Sequence, residues 1–150
     1  MNQVLAQDAR PPLALIRGMN PIMRRLLPRP AGRLIRPFAL LEFEGQRSGR
    51  RYRVPVGWHR IDGKPVVFTP APWRDNFRGG RTATIWHRGH RTDTTATLDD
   101  DPAHVAAALQ SLARVKGSLR AVGVRAAPGR PVTAADAEAV DRALIRFDTD

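Results

Sequence analysis

The sequence contains no cysteine. That removes disulfides, thiolate metal sites and a thiol nucleophile together. Lysine is nearly missing as well: only Lys64 and Lys116 carry an ammonium, so the other basic residues are arginines. No apolar run approaches the roughly 20 residues that a membrane-spanning helix needs. The opening Met1-Asn2-Gln3 lacks the basic segment and long apolar stretch of a secretory signal, and the expected location is the cytoplasm. There is no Gly-x-x-x-x-Gly-Lys phosphate loop and no Gly-x-Gly-x-x-Gly turn. Ser48, Ser111 and Ser118 stand in no nucleophile-elbow context. No pair of carboxylates is spaced for acid–base work. His87 and His90 are three apart across Gly89, with His59 and His104 distant, so no zinc site is expected. These gaps leave a binding module, or an enzyme whose chemistry belongs to a cofactor.

What is present is enough for one domain with a core: 150 residues, of which 42% are hydrophobic. The balance of 25 Lys+Arg against 14 Asp+Glu leaves a net charge of +11. Such a charge favours an anionic partner: nucleic acid, a membrane surface or a small polyanion. Residues 1–36 read as a tail and an interrupted amphipathic helix. Leu13, Ile16, Ile22, Leu26 and Leu27 form its stripe, with Arg17, Arg24 and Arg25 beside it and Pro21 interrupting it. That helix is expected to pack on the domain, with peripheral membrane contact as the alternative.

Residues 37–150 carry the β signals. Phe38 to Glu44 and Arg51 to Ile61 read as strands. In the second, Tyr52, Val54, Val56 and Trp58 alternate against Arg51, Arg53 and Gly57. Asp62-Gly63 is a hairpin turn and Lys64 to Thr69 a third strand. Trp73 and Phe77 share a face of a short helix that Gly79 or Gly80 caps. Thr82 to His87 and Arg91 to Leu98 form a hairpin across Arg88-Gly89-His90. Asp99-Asp100-Asp101 and Pro102 start a helix over 102–116, with Val105, Ala108, Leu109, Leu112 and Val115 on one face; Gly117 stops it. Thr133 and Asp136 resemble a capping box. Ala143 to Phe147 is the last strand. Strands in antiparallel groups without a βαβ rhythm point to a small antiparallel barrel of five or six strands with added helices.

One stretch concentrates charge. Gly45-Gln46-Arg47-Ser48-Gly49 is a turn with a glycine at each end, followed by Arg50, Arg51 and Arg53. Guanidinium groups, the Ser48 hydroxyl and free backbone N–H groups suit a phosphate or carboxylate. Trp73, in a loop after Pro72, is the aromatic expected to line a cleft over a planar ligand.

Residues 41–50 followed by Val54-Pro55-Val56, Asp62-Gly63, Val66-Val67, Trp73-Arg74-Asp75-Asn76 and the 82–98 hairpin resemble the deazaflavin-dependent nitroreductase family. The match covers roughly residues 35–115. The resemblance implies an α+β, mainly antiparallel split β-barrel of about six strands with N-terminal, middle and C-terminal helices, and a homodimer. It implies that Arg47, Ser48, Gly49 and Arg50, with Arg53 close by, grip the phosphate of coenzyme F420 or, alternatively, FMN. Pro55 and Val56 would lie along the ring, and Trp73 and Asn76 match the family's Trp-x-x-Asn. The implied reaction is hydride transfer from the reduced cofactor to a quinone, nitro or enone-type acceptor, with Tyr52 or water giving a proton. Where the family carries a longer Gly-rich segment, this chain has Thr69-Pro70-Ala71-Pro72. That leaves open a non-catalytic relative binding a flavin, haem or lipid-like anion. A nucleic-acid partner is not expected.

Overall fold

The computed structural model describes residues 7–8, 21–22, 24–25, 27–29, 38–119, 122, 124–125 and 131–149. The first stretch of the expected N-terminal helix lies outside them, although Pro21, Ile22, Arg24 and Arg25 are helical. Nine strands are described: β1 (Gln7–Asp8), β2 (Phe38–Glu44), β3 (Arg51–Gly57), β4 (His59–Ile61), β5 (Lys64–Thr69), β6 (Arg81–His87), β7 (His90–Asp99), β8 (Val124–Arg125) and β9 (Ala143–Phe147). A 3-10 helix (Pro72–Phe77) follows β5. Helix α1 (Pro102–Lys116) follows β7, and α2 (Ala134–Val140) precedes β9.

Seven strands form one antiparallel sheet in the order β3-β2-β6-β7-β9-β5-β4, while β1 pairs with β8. The fold is therefore an antiparallel half-barrel of the α+β class, with one strand more than the sequence pattern suggests. The extra strand comes from a break. Residues 51–61 read as one run, but Trp58 falls between β3 and β4. β3 pairs with β2 at one edge and β4 with β5 at the other. The two edges of the sheet are thus consecutive in sequence.

Turn chemistry sets the hairpins. Asp62 and Gly63 have φ of 52° and 78°, and Arg88 and Gly89 have 54° and 78°. Two successive positive values match the right-handed twist of the flanking strands. The second turn is these two residues alone, so His90 belongs to β7 and pairs directly with His87. The 3-10 helix ends at Arg78 rather than at a glycine, and Gly80 N–H then donates to the Phe77 carbonyl at 3.0 Å.

Alternation along the strands divides the core. Leu41, Phe43, Val67, Ile85, Ile145 and Phe147 pack inside the curl. Their sequence neighbours Val66, Phe68 and Leu144 face the other way, onto Val105, Leu109 and Leu112 of α1. Fully burying each such side chain contributes about 1.5–3 kcal/mol. Leu27 is buried against Leu40 and the half-buried Trp86, so this N-terminal residue packs on the sheet. Val115 departs from its expected face. It is 77% exposed, because the helix ends at Gly117 (φ 75°) and its last turn lies beyond the buried stripe.

Helix α1 starts at Asp101, whose carboxylate accepts from the N–H groups of Ala103 and His104. Thr133 and Asp136 form the reciprocal capping box of α2. Just after α2 the guanidinium of Arg142 is buried. Its Nε donates to the Val122 carbonyl at 3.0 Å and its Nη1 to that of Val140 at 2.6 Å. The residue just before β9 thereby holds the connection after α1 and the end of α2 together.

Candidate functional site

The basic turn joins β2 to β3, and its backbone is largely committed to itself. Gly45 N–H donates to the Arg50 carbonyl at 2.8 Å, and Gly49 N–H to the Gly45 carbonyl at 3.0 Å. Arg50 N–H donates to Ser48 Oγ at 3.1 Å. Gln46 N–H donates to Asn76 Oδ1 at 2.9 Å. The free backbone donors expected here therefore reduce to two: the N–H groups of Arg47 and Ser48 have no partner among the described residues. Arg47 and Arg50 are exposed and make no ion pair with any described residue. An anion here would meet two guanidinium groups, two adjacent amides and a hydroxyl.

The two glycines act differently. Gly49 sits at φ +65°, where other residues are strained. Gly45 is needed for space: a Cβ there would stand 2.8 Å from Tyr52 Cε2. The Tyr52 ring cannot easily yield, because it stacks on Phe43 with centroids 5.3 Å apart and planes 15° off parallel. Gly45→Ala is expected to destabilise the protein by about 1–3 kcal/mol through this overpacking. Urea unfolding of Gly45→Ala and of Gly45→Ala/Tyr52→Leu checks it, since the second substitution should restore part of the loss.

Below the turn lies an aromatic bed. Phe43 meets Trp73 at 5.7 Å and Phe77 edge-on at 4.8 Å, and Trp73 meets Phe77 at 6.1 Å. The Arg50 guanidinium lies 5.8 Å from the Tyr52 ring centroid. Asn76 connects bed to turn: besides accepting from Gln46, its Nδ2 donates to the Trp73 carbonyl at 2.8 Å. Arg74 holds the same 3-10 helix to the end of α2, with Nη2 3.0 Å from Asp141 Oδ1. The structure thus brings Arg47, Ser48, Gly49, Arg50, Tyr52, Trp73 and Asn76 to one end of the half-barrel. Sequence reasoning placed Asn76 there only as part of a motif. Its role as a brace has no local signal, since its partner is 30 residues away.

Three expected site residues are placed elsewhere. Tyr52, Val54 and Val56 face the inner core, so Arg53 points to the opposite side. There Glu42 accepts from Arg53 Nε at 3.0 Å and from Arg51 Nη2 at 3.1 Å. Glu42 is 8% exposed, and the two guanidiniums compensate its buried charge. Arg53 also lines a groove of about 410 Å³ with Arg24, Arg25 and Arg29. Val56 is buried in the core, so only its backbone is available to a ligand. Pro55 is half-buried opposite Leu40.

A cleft of about 900 Å³ is lined by Glu44 and Arg51, which flank the turn, but by none of the turn residues 45–50. It mixes Glu42, Glu44, Asp93 and Asp148 with Arg51 and Arg81, and so has no single preference for an anion. Among the described residues no three His, Asp or Glu side chains are grouped to hold a metal ion. His59 is buried beside Phe68, and His104 is 3.0 Å from Asp99. Among the described residues no helix is long and apolar enough to cross a membrane.

Fold and site together describe an antiparallel half-barrel with an exposed basic turn next to a cluster of packed aromatic rings. No family model matches the sequence, and no curated protein matches it. Among solved structures the chain is similar to the FAD and haem binding protein from Mycobacterium smegmatis. The identity is 14% over 84% of this chain and the TM-score 0.42. This chain spans 64% of that protein's chain. A likeness this loose carries no residue role across.

Proposed function

We propose that the protein is a cofactor-dependent oxidoreductase, passing a hydride from reduced coenzyme F420, or alternatively FMN, to a quinone, nitro or enone-type acceptor. The supporting observation is the hydrogen bond from Gln46 N–H to Asn76, which makes the basic turn and the Trp73-bearing helix one unit. In a phosphate-bearing cofactor's site the charged group and the ring must be held at a fixed separation, and this brace fixes it. The residues fit such a group: the turn offers guanidinium groups, amides and a hydroxyl to a phosphate, and the Trp73 ring is half-buried beside them. The cofactor supplies the hydride, so no side-chain nucleophile is required. Arg47, Ser48 and Arg50 would hold the phosphate, Trp73 would limit water over the ring, and the Tyr52 hydroxyl or water would give the proton. A homodimer and peripheral membrane contact through the N-terminal helix belong to the same reading. The exposed Ile22 beside Arg24 and Arg25 supports the membrane contact.

A second reading, a binder without catalysis, is supported by the short link between β5 and the 3-10 helix. Ala71 N–H donates to Thr69 Oγ1 at 3.0 Å, and Arg74 reaches the Thr69 carbonyl at 3.4 Å. The link is held close to the sheet, where a longer segment could cover a ring. Fluorescence titration with F420 and with FMN tests both. Wild type is expected to bind one of them in the micromolar range, with Arg47→Ala weaker by about 10-fold or more, as loss of a charge-assisted contact implies. Binding of neither cofactor overturns the proposal. Binding without turnover of menadione or a nitroarene favours the second reading.

A further inference from the structure

At the opposite end of the half-barrel from the basic turn lies a second cleft, of about 630 Å³. It is built where the Arg88-Gly89 turn meets the Trp58 break. Ile85 pairs with Thr92 and His87 with His90 across β6 and β7, two residues apart, so all four share one face. That face is the inner one, since Ile85 belongs to the inner core. Trp58 closes the side, 5.3 Å from His87 and 5.3 Å from Phe147. Its indole N–H is buried with no hydrogen-bond partner among the described residues. Arg60 and Arg88 stand at the rim. Arg60 is steadied by donating to the Gly63 carbonyl at 2.8 Å, while Arg88 makes no ion pair with any described residue. None of the described lining residues is acidic.

We infer that this cleft binds a small aromatic acid. The apolar wall of Trp58 and Ile85 takes the ring, and the Arg88 and Arg60 guanidiniums with His90 take the carboxylate. Its size falls within the roughly 300–1,000 Å³ of small-molecule sites. Two imidazoles without a carboxylate or a third ligand do not make a metal site. The site shares no residue with the basic turn and stands whether or not that turn holds a cofactor.

Isothermal titration with 2-naphthoate tests the inference. Saturable binding below about 1 mM is expected, with 2-naphthamide, the uncharged analogue, at least about 10-fold weaker because it offers no carboxylate to the guanidiniums. Arg88→Asn is the first variant, since Asn tolerates the positive φ of that position. Arg60→Gln is the second, on β4. Weakening of about 10-fold in either supports the site, and Arg47→Ala should bind as wild type does. Absence of saturable binding, equal affinity for the amide, or wild-type affinity in both variants overturns it.

Discussion

Acidification from pH 7 to pH 4 is expected to remove about 3 kcal/mol of folding stability through His59 alone. Burial, and to a lesser degree the charge of Lys116 at the end of α1, together lower its pKa from 6.5 to about 4. The unfolded chain takes up a proton near pH 6.5, whereas the folded chain holds this imidazole neutral until about pH 4. Stability from this group is therefore complete above pH 6.5, falls as the pH drops, and stops falling below pH 4. His59 is 6% exposed, and its Nδ1 has no hydrogen-bond partner among the described residues. An apolar replacement consequently removes a buried polar group without leaving a partner stranded. Urea unfolding of wild type and His59→Leu at pH 7, 5.5 and 4 isolates the effect, because other titrating groups are common to both. The variant should be about as stable as wild type at pH 7 and more stable by about 3 kcal/mol at pH 4. Parallel pH profiles would remove His59 as the cause.

Arg142→Leu is expected to be the most damaging single change, at about 3–5 kcal/mol. The side chain is 4% exposed, and its two carbonyl partners lie on separate segments: Val122 in the connection after α1, and Val140 at the end of α2. Removing the guanidinium leaves both carbonyls buried without a donor, each costing about 1–3 kcal/mol. It also frees the segment in which the Val122 and Val124 N–H groups turn back onto the Leu119 carbonyl. Arg142→Lys should recover little, since one ammonium cannot reproduce the spread of Nε and Nη1. Denaturant unfolding checks both variants, and a loss below about 1 kcal/mol in Arg142→Leu would mean that the pocket closes or hydrates around the gap.

The elements were legible where local chemistry marks their ends. Phe38–Glu44, Lys64–Thr69, 102–116 and Ala143–Phe147 have the limits that alternation, Asp62-Gly63, Asp101-Pro102 and Gly117 dictate. Faces were legible too: the alternation that sends Tyr52 inward already sends Arg53 outward. What the pattern does not carry is the identity of a distant neighbour. Nothing near Arg53 marks Glu42 as its partner, nothing near Gln46 points to Asn76, and nothing near Gly45 reports the ring that fills its missing Cβ. The break at Trp58 was hidden for a related reason. An alternating run continues through it, and only the pairing of its two halves with different strands makes it two elements. Of the site, the basic turn and the shared face of Trp73 and Phe77 were readable; the brace and the packing of Phe43 and Tyr52 onto those rings were not.

The position of β9 has a consequence for how the chain is made. Its five residues lie between β5 and β7, although they follow all the other strands in sequence. During synthesis the three hairpins β2-β3, β4-β5 and β6-β7 can form as soon as they emerge, since their contacts are local, and β2 can then pair with β6. They do so with the facing edges of β5 and β7 bare, and a bare edge invites pairing with another chain. Residues 143–147 are the keystone that turns two independent ribbons into one sheet. A ribosome that stalls before them releases two sticky edges rather than a smaller version of the same protein.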